Sequence, residues 1–296
     1  MRRISMWVAA SALFGALSAQ ASPVGGVVGS VGGIASGVPV VGGALNGVVV
    51  GVGGNVAGQT GGLPVLGSLP VAADLTGSLS FPEGATGKVP AMVIMHGSAG
   101  QGYRDASWSD FFLDHGIATF RVDYYATRGL TRGGRGGPKN PYDLTDAIKF
   151  LKTHPRIDAT KIGTMGFSRG GSIVMATLQM NAREFGGNKP VLNVNMYGNC
   201  INGVDKGTTD APVVVIVGDK DDLQPSTLCE GLGENAKRFD KDFRIHVIPG
   251  ATHAFDDNKG GTIQWGGQTV TISPSGQATA EARRIVLAAL NETLKK

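Results

Sequence analysis

The pentapeptide Gly166-Phe167-Ser168-Arg169-Gly170 limits the fold of this chain more than any other stretch. It reads G-x-S-x-G and lies between a β-prone apolar run, residues 161–165, and a small-residue helical pattern, residues 170–176. A strand that turns sharply into a helix lifts its turn residue clear of the sheet and strains that residue's backbone. Strand and helix pass so close at such a turn that the flanking positions need glycine. In a chain with 47 Gly the pattern alone is common. Its specificity comes from the strand before it, the helix after it and the partners downstream. Ser168 is therefore a candidate nucleophile.

The rest of the chain alternates between the two periodicities. Strands are expected at residues 91–95, 118–122, 191–196, 213–217 and 243–248, with a short one ending near Phe81. Helices are expected at 107–115, 142–153, after the elbow, at 227–239 and at 278–294. Leu144, Ile148 and Leu151 share one helical stripe. A long loop spans 123–140, and residues 262–272 read as a hairpin turning at Gly266-Gly267. Continuous apolar strands alternating with helices predict an α/β fold: a mostly parallel central sheet with helices on both faces.

The start of the chain is of a different kind. Met1-Arg2-Arg3 is basic, residues 7–17 are apolar and uncharged, and Ala19-Gln20-Ala21 fits an A-x-A cleavage site. This is the layout of a bacterial-type signal peptide over residues 1–21. The apolar run is short for a span, so cleavage is expected to leave no stable membrane anchor. The expected location is periplasmic or extracellular. No charged residue lies between Arg3 and Asp74. Residues 22–72, rich in Gly and Val, read as a low-complexity, disordered segment. Strand pairing of stretches such as Val48-Val49-Val50 is the alternative. The folded α/β domain is expected over 73–296.

Export would place Cys200 and Cys229 where an even pair can form one disulfide; two buried free thiols are the alternative. No CxxC or His/Cys cluster lies beside them, so a metal site is disfavoured, and the sequence implies no metal or organic cofactor. The net charge of +4 and an aromatic content of 6% give no case for nucleic-acid binding.

A serine nucleophile needs a base to take its proton and an acid to orient that base. In folds with this elbow the order along the chain is Ser, Asp or Glu, His. The strand at 213–217 runs into Gly218-Asp219-Lys220-Asp221-Asp222, and the strand at 243–248 runs into Pro249-Gly250-Ala251-Thr252-His253. Both candidates thus lie beyond the carboxyl ends of strands, where open α/β sheets build their sites. His253 is the only one of five His to follow the last sheet strand in such a loop. Asp219, Asp221 and Asp222 compete for the acid's place, with Asp221 preferred. Asp256 and Asp257 follow His253 too closely to approach its Nδ1 from a separate loop. The backbone N–H groups of Ser98 and Arg169 are the expected oxyanion donors, with His96 structural.

These stretches resemble the dienelactone hydrolase family of α/β-hydrolases. The likeness runs from about Leu75 to the C-terminus and is carried by residues 90–97, residues 122–129, the elbow, G-x-x-D-x-x-x-P at 218–225 and H-x-F at 253–255. It implies Asp221 as the acid and His253 as the base. The family's elbow carries Cys where this chain has Ser168, which implies a serine esterase of the wider family.

The function expected is hydrolysis of a carboxylic ester or lactone, small or polymeric, through an acyl-enzyme. A peptidase or thioesterase on the same triad is a second reading. A non-catalytic surface or binding protein is a third, which an intact triad argues against. Arg128 and Trp265 are candidate substrate-lining residues. For Arg128 a structural ion pair is the other reading. The loop with Arg128, Arg132, Arg135 and Lys139 reads either as solvated or as a cationic attractor for an anionic surface.

Overall fold

The computed structural model describes residues 47–52, 75–130, 140–201 and 203–296. Eight strands form one sheet: β1 (Gly47–Val52), β2 (Leu75–Ser80), β3 (Val89–Met95), β4 (Ala118–Val122), β5 (Ile157–Phe167), β6 (Leu192–Met196), β7 (Val213–Gly218) and β8 (Phe243–Ile248). Their spatial order is β1-β2-β4-β3-β5-β6-β7-β8. The pairs from β4 through to β8 are parallel, whereas β1–β2 and β2–β4 are antiparallel. A separate hairpin consists of β9 (Gly261–Trp265) and β10 (Gln268–Ile272).

Among the described residues five α-helices complete the fold: α1 (Tyr103–Asp114), α2 (Pro141–Thr153), α3 (Arg169–Thr177), α4 (Ser226–Lys237) and α5 (Gly276–Thr293). The two-residue period of β3 shows how they are distributed. Met92 and Ile94 share one core with Trp108 and Phe112 of α1 and Val286 and Leu290 of α5. Ala91, Val93 and Met95 share the other with Leu144 and Ile148 of α2 and Ile173 and Val174 of α3. Helices thus cover both faces, as continuous apolar strands require.

Local chemistry explains boundaries that periodicity left loose. Asn140 caps α2 by accepting the Tyr142 N–H (3.1 Å), and Pro141 fills the first helical position, where no N–H is needed. Ser275 caps α5 by accepting the Ala278 N–H (3.2 Å), so the helix starts at Gly276 rather than 278. Helix α1 starts at Tyr103, four residues before its expected 107; the Asp105 carboxylate accepts the Gly102 N–H (2.8 Å).

The expected disorder of residues 22–72 does not hold for Gly47–Val52. These six residues pair antiparallel along all of β2, with Val49 opposite Ser78. A β-branched, uncharged run beside an exposed strand edge satisfies its backbone by joining that edge. The rest of that segment, the signal-peptide region and Arg132, Arg135 and Lys139 lie outside the described residues.

Candidate active site

Strand β5 delivers Ser168 from the middle of the sheet, where it pairs with β3 on one side and β6 on the other. At the turn Ser168 takes φ 51°, ψ −110°, outside the regions open to ordinary residues. Two glycines make the turn sterically feasible. A Cβ on Gly166 would lie 2.2 Å from the Gly170 carbonyl carbon, and one on Gly170 would lie 2.0 Å from the Met95 carbonyl oxygen. The Ser168 N–H donates to the Met196 carbonyl (2.9 Å), which fixes the turn to β6.

The two other expected partners arrive on adjacent loops. Strands β7 and β8 end in register, Gly218 opposite Ile248. A Cβ on Gly218 would sit 1.9 Å from the Ala251 carbonyl oxygen, so the loops after the two strands touch through backbone. Lys220 N–H donates to that same oxygen (3.0 Å). This contact brings Asp221 and His253 together: His253 Nδ1 lies 2.9 Å from Asp221 Oδ2, and His253 Nε2 lies 3.0 Å from Ser168 Oγ. A carboxylate only accepts, so the ring proton belongs on Nδ1 and Nε2 is left to accept from the serine hydroxyl. Both His253 and Asp221 are buried.

The three competing aspartates have three different partners. Asp219 accepts the Gly250 N–H (2.6 Å) and braces the turn before His253. Asp221 faces His253 with one oxygen and accepts the N–H groups of Leu223 and Gln224 (2.8 Å each) with the other. Asp222 accepts the Thr271 N–H (3.1 Å), and its carbonyl accepts from Gln268 (3.2 Å), which anchors the β9–β10 hairpin. Asp256 and Asp257 turn away from the His253 imidazole. Asp256 accepts from Trp108 Nε1 (2.8 Å) and Tyr197 Oη (2.5 Å), and Asp257 pairs with Arg104 (3.4 Å).

The expected oxyanion loop lies against the elbow. A Cβ on Gly97 would stand 3.7 Å from Ser168 Cβ. Ser98 and Arg169 line a cleft of about 310 Å³ together with Ser168 and His253. The Arg169 N–H belongs to the first turn of α3, where N–H groups have no carbonyl of the helix itself to bond. Its side chain crosses to the loop, Nε donating to Ser98 Oγ (3.0 Å). His96 is buried, stacked on Tyr124 with ring centroids 3.9 Å apart, and its Nδ1 donates to the Gly97 carbonyl (2.7 Å). It shapes the loop.

Trp265, reached through the hairpin, lines the cleft, and the Arg169 guanidinium lies 5.8 Å from its ring centroid. Arg128 does not line it, which corrects that expectation. Its guanidinium donates to Asp143 (2.6 Å) and to the Tyr124 carbonyl (2.9 Å). The fully buried Asp143 carboxylate needs a cation, and Arg128 on the 3₁₀ turn Ala126–Arg128 supplies it. Cys200 and Cys229 are bonded, with Cα atoms 5.0 Å apart.

Sequence reasoning missed the network beneath the triad. Tyr197, at the end of β6 with φ 41°, sets its ring edge against the His253 imidazole (centroids 5.0 Å). Burial pushes its phenol pKa well above the usual value. Burial likewise raises the Asp256 carboxyl, and the Arg104 charge only partly offsets this. The only sequence signal was the acidic pair three and four residues after His253, which periodicity cannot connect to α1.

Chemically, a hydroxyl bonded to an imidazole that a carboxylate orients can pass its proton on and attack an electrophilic carbon. Known proteins agree with a hydrolase architecture. A dienelactone hydrolase-like promiscuous phosphotriesterase from metagenomic libraries superposes with TM-score 0.62 at 18% identity, covering 75% of this chain and 93% of its own. A thermophilic esterase of Thermogutta terrifontis, solved with butyrate, does so at 0.55 and 16%, covering 74% and 89%. In sequence, a polyketide transferase of Stachybotrys chlorohalonatus is 32% identical over 111 residues, so the chain spans about a third (35%) of that relative's length. Protein usf of Aquifex pyrophilus is 26% identical over 165 residues, 51% of this chain and 68% of its own. Residues 75–294 match the dienelactone hydrolase family over all the sheet strands from β2 onward and all five helices, and the chain belongs to that family.

Proposed function

We propose that the protein is an exported serine hydrolase that cleaves a carboxylic ester through an acyl-enzyme. The observation that carries this is the unbroken hydrogen-bond chain from Ser168 through His253 to Asp221 at 3.0 and 2.9 Å. Ser168 Oγ attacks the ester carbonyl while His253 Nε2 takes its proton. Asp221 keeps the Nδ1 proton in place and stabilises the imidazolium that forms. The N–H groups of Ser98 and Arg169 receive the negative charge on the carbonyl oxygen. His253 then protonates the departing alcohol, and a water activated by the same imidazole releases the acid. The carboxylic-ester assignment draws on the butyrate held by the Thermogutta esterase. Export draws on the residue 1–21 pattern and on the Cys200–Cys229 bond, since such bonds persist in oxidising compartments.

The test is Ser168→Ala. Hydrolysis of p-nitrophenyl butyrate and labelling by a fluorophosphonate should both vanish while the melting temperature is kept. Wild-type turnover in that variant would remove Ser168 from the mechanism.

A further inference from the structure

The disulfide joins two walls of the cleft, and each bonded cysteine has an apolar neighbour in the open. Cys200 lies four residues beyond β6 and Cys229 in the first turn of α4, and both are buried. Next to them, Ile201 is 69% exposed and Leu228 45% exposed. Both line the cleft that holds Ser168 and His253. Aliphatic side chains exposed at the mouth of a cleft gain free energy when the apolar part of a ligand covers them. Leu223, also at the cleft, is half-buried. The remaining cleft neighbours on these loops, Asn199 and Gln224, are uncharged. Arg169, the one guanidinium or ammonium lining the cleft among the described residues, is engaged with Ser98 and Trp265.

We propose that Ile201 and Leu228 form an apolar shelf, braced by the Cys200–Cys229 bond, that holds the aliphatic chain of the ester. This rests on the hydrolase reading above and names its substrate class: uncharged esters with an alkyl chain of several carbons. Neither wall could hold its half of the shelf in register alone, because Ile201 sits on an irregular segment after β6 and Leu228 on the exposed side of α4. The bond fixes the two backbones 5.0 Å apart at Cα, one residue from each shelf side chain.

The magnitude follows from transfer of methylene groups out of water. A fully surrounded methylene is worth about fourfold in binding, and one lying on a one-sided shelf about twofold. Four extra methylenes then amount to roughly tenfold or a little more.

The experiment compares kcat/KM for wild type, Ile201→Ser, Leu228→Ser and the double variant. One series varies the acyl chain (p-nitrophenyl acetate, butyrate, hexanoate) and one the alcohol (ethyl, butyl, hexyl acetate). The expected result is a wild-type preference for the longer chain in one series, which also identifies the side that the shelf serves. The double variant should cut that long-to-short ratio about tenfold. Both side chains are exposed, so these changes empty no core, and equal melting temperatures verify it. Tyr142→Ser, an exposed residue that does not line the cleft, should leave the ratio as in wild type. The Cys200→Ser/Cys229→Ser pair, assayed well below its melting temperature, should lose part of the ratio; no change there would overturn the bracing. A flat ratio in wild type, or one unaltered in the double variant, would overturn the shelf while leaving the hydrolase intact. Absence of turnover on every ester by the wild type would overturn the hydrolase reading and the shelf with it.

Discussion

Replacing Asp221 by Asn turns one acceptor oxygen into an NH2 donor and changes almost no volume. One Asp221 oxygen accepts two backbone N–H groups, from Leu223 and Gln224, and the other faces His253 Nδ1 at 2.9 Å. Only an oxygen can take the two N–H bonds, so the amide oxygen of Asn must occupy that side. Its NH2 then points at His253, which turns Nδ1 into an acceptor and moves the ring proton to Nε2. Nε2 stands 3.0 Å from Ser168 Oγ and, once protonated, cannot take the serine proton. The expected loss in kcat is about 10⁴-fold, or ~5.5 kcal/mol of barrier. The assay is p-nitrophenyl ester turnover together with the rate of fluorophosphonate labelling, with circular dichroism to confirm folding. Asp219→Asn and Asp222→Asn are the controls, since both residues are exposed and bond backbone groups rather than the imidazole. They should stay within about tenfold of wild type. If Asp221→Asn retained that much activity, or Asp222→Asn lost as much as Asp221→Asn, the assignment of the orienting acid would be wrong.

Arg128→Ala should leave the buried Asp143 carboxylate uncompensated and cost about 3–5 kcal/mol, read from urea unfolding. The folded fraction should keep its kcat; a selective loss of turnover would restore Arg128 to the cleft. The Cys200→Ser/Cys229→Ser pair opens a loop with a sequence separation of 29 residues, for which loop entropy gives about 3.6 kcal/mol of lost stability. An unchanged unfolding midpoint would contradict that. Burial raises the Asp256 carboxyl above its unfolded value of about 3.9. A raised acid contributes its stability in full below the unfolded value and loses it as pH rises through the folded value. Urea midpoints taken from pH 4 upward should therefore move in favour of Asp256→Asn relative to wild type. A difference moving the other way would mean that the carboxylate is stabilised by its surroundings.

Much of the architecture could be read in advance because its physics is local. The buried strands announced themselves as apolar runs, and the hairpin by its Gly266-Gly267 turn. The elbow was legible because two backbone clashes leave glycine as the only residue that fits at 166 and 170. Chain order and strand ends selected His253. What was not legible depends on approach across the fold. Three aspartates within four residues look alike in sequence, and only the packing of the β7 loop against the β8 loop distinguishes them. Tyr197, Trp108, Asp256 and Arg104 come from three distant segments and meet only once α1 covers the sheet. Strand β1 escaped the disorder reading because composition measures what a segment can bury alone, whereas the β2 edge offered backbone pairing from outside.

The position of β5 has a further consequence. The strand that carries Ser168 has neighbours on both sides and is buried over its last six residues. The strand that carries His253, β8, closes the sheet at its edge and is only half-buried along five of its six residues. Local opening is cheapest where apolar contacts are fewest. Under the proposed mechanism the nucleophile and its base are therefore unequally anchored, and gradual heating should end hydrolysis from the base's side. Proton transfer would fail through drift of the imidazole while the serine still sits in a native elbow.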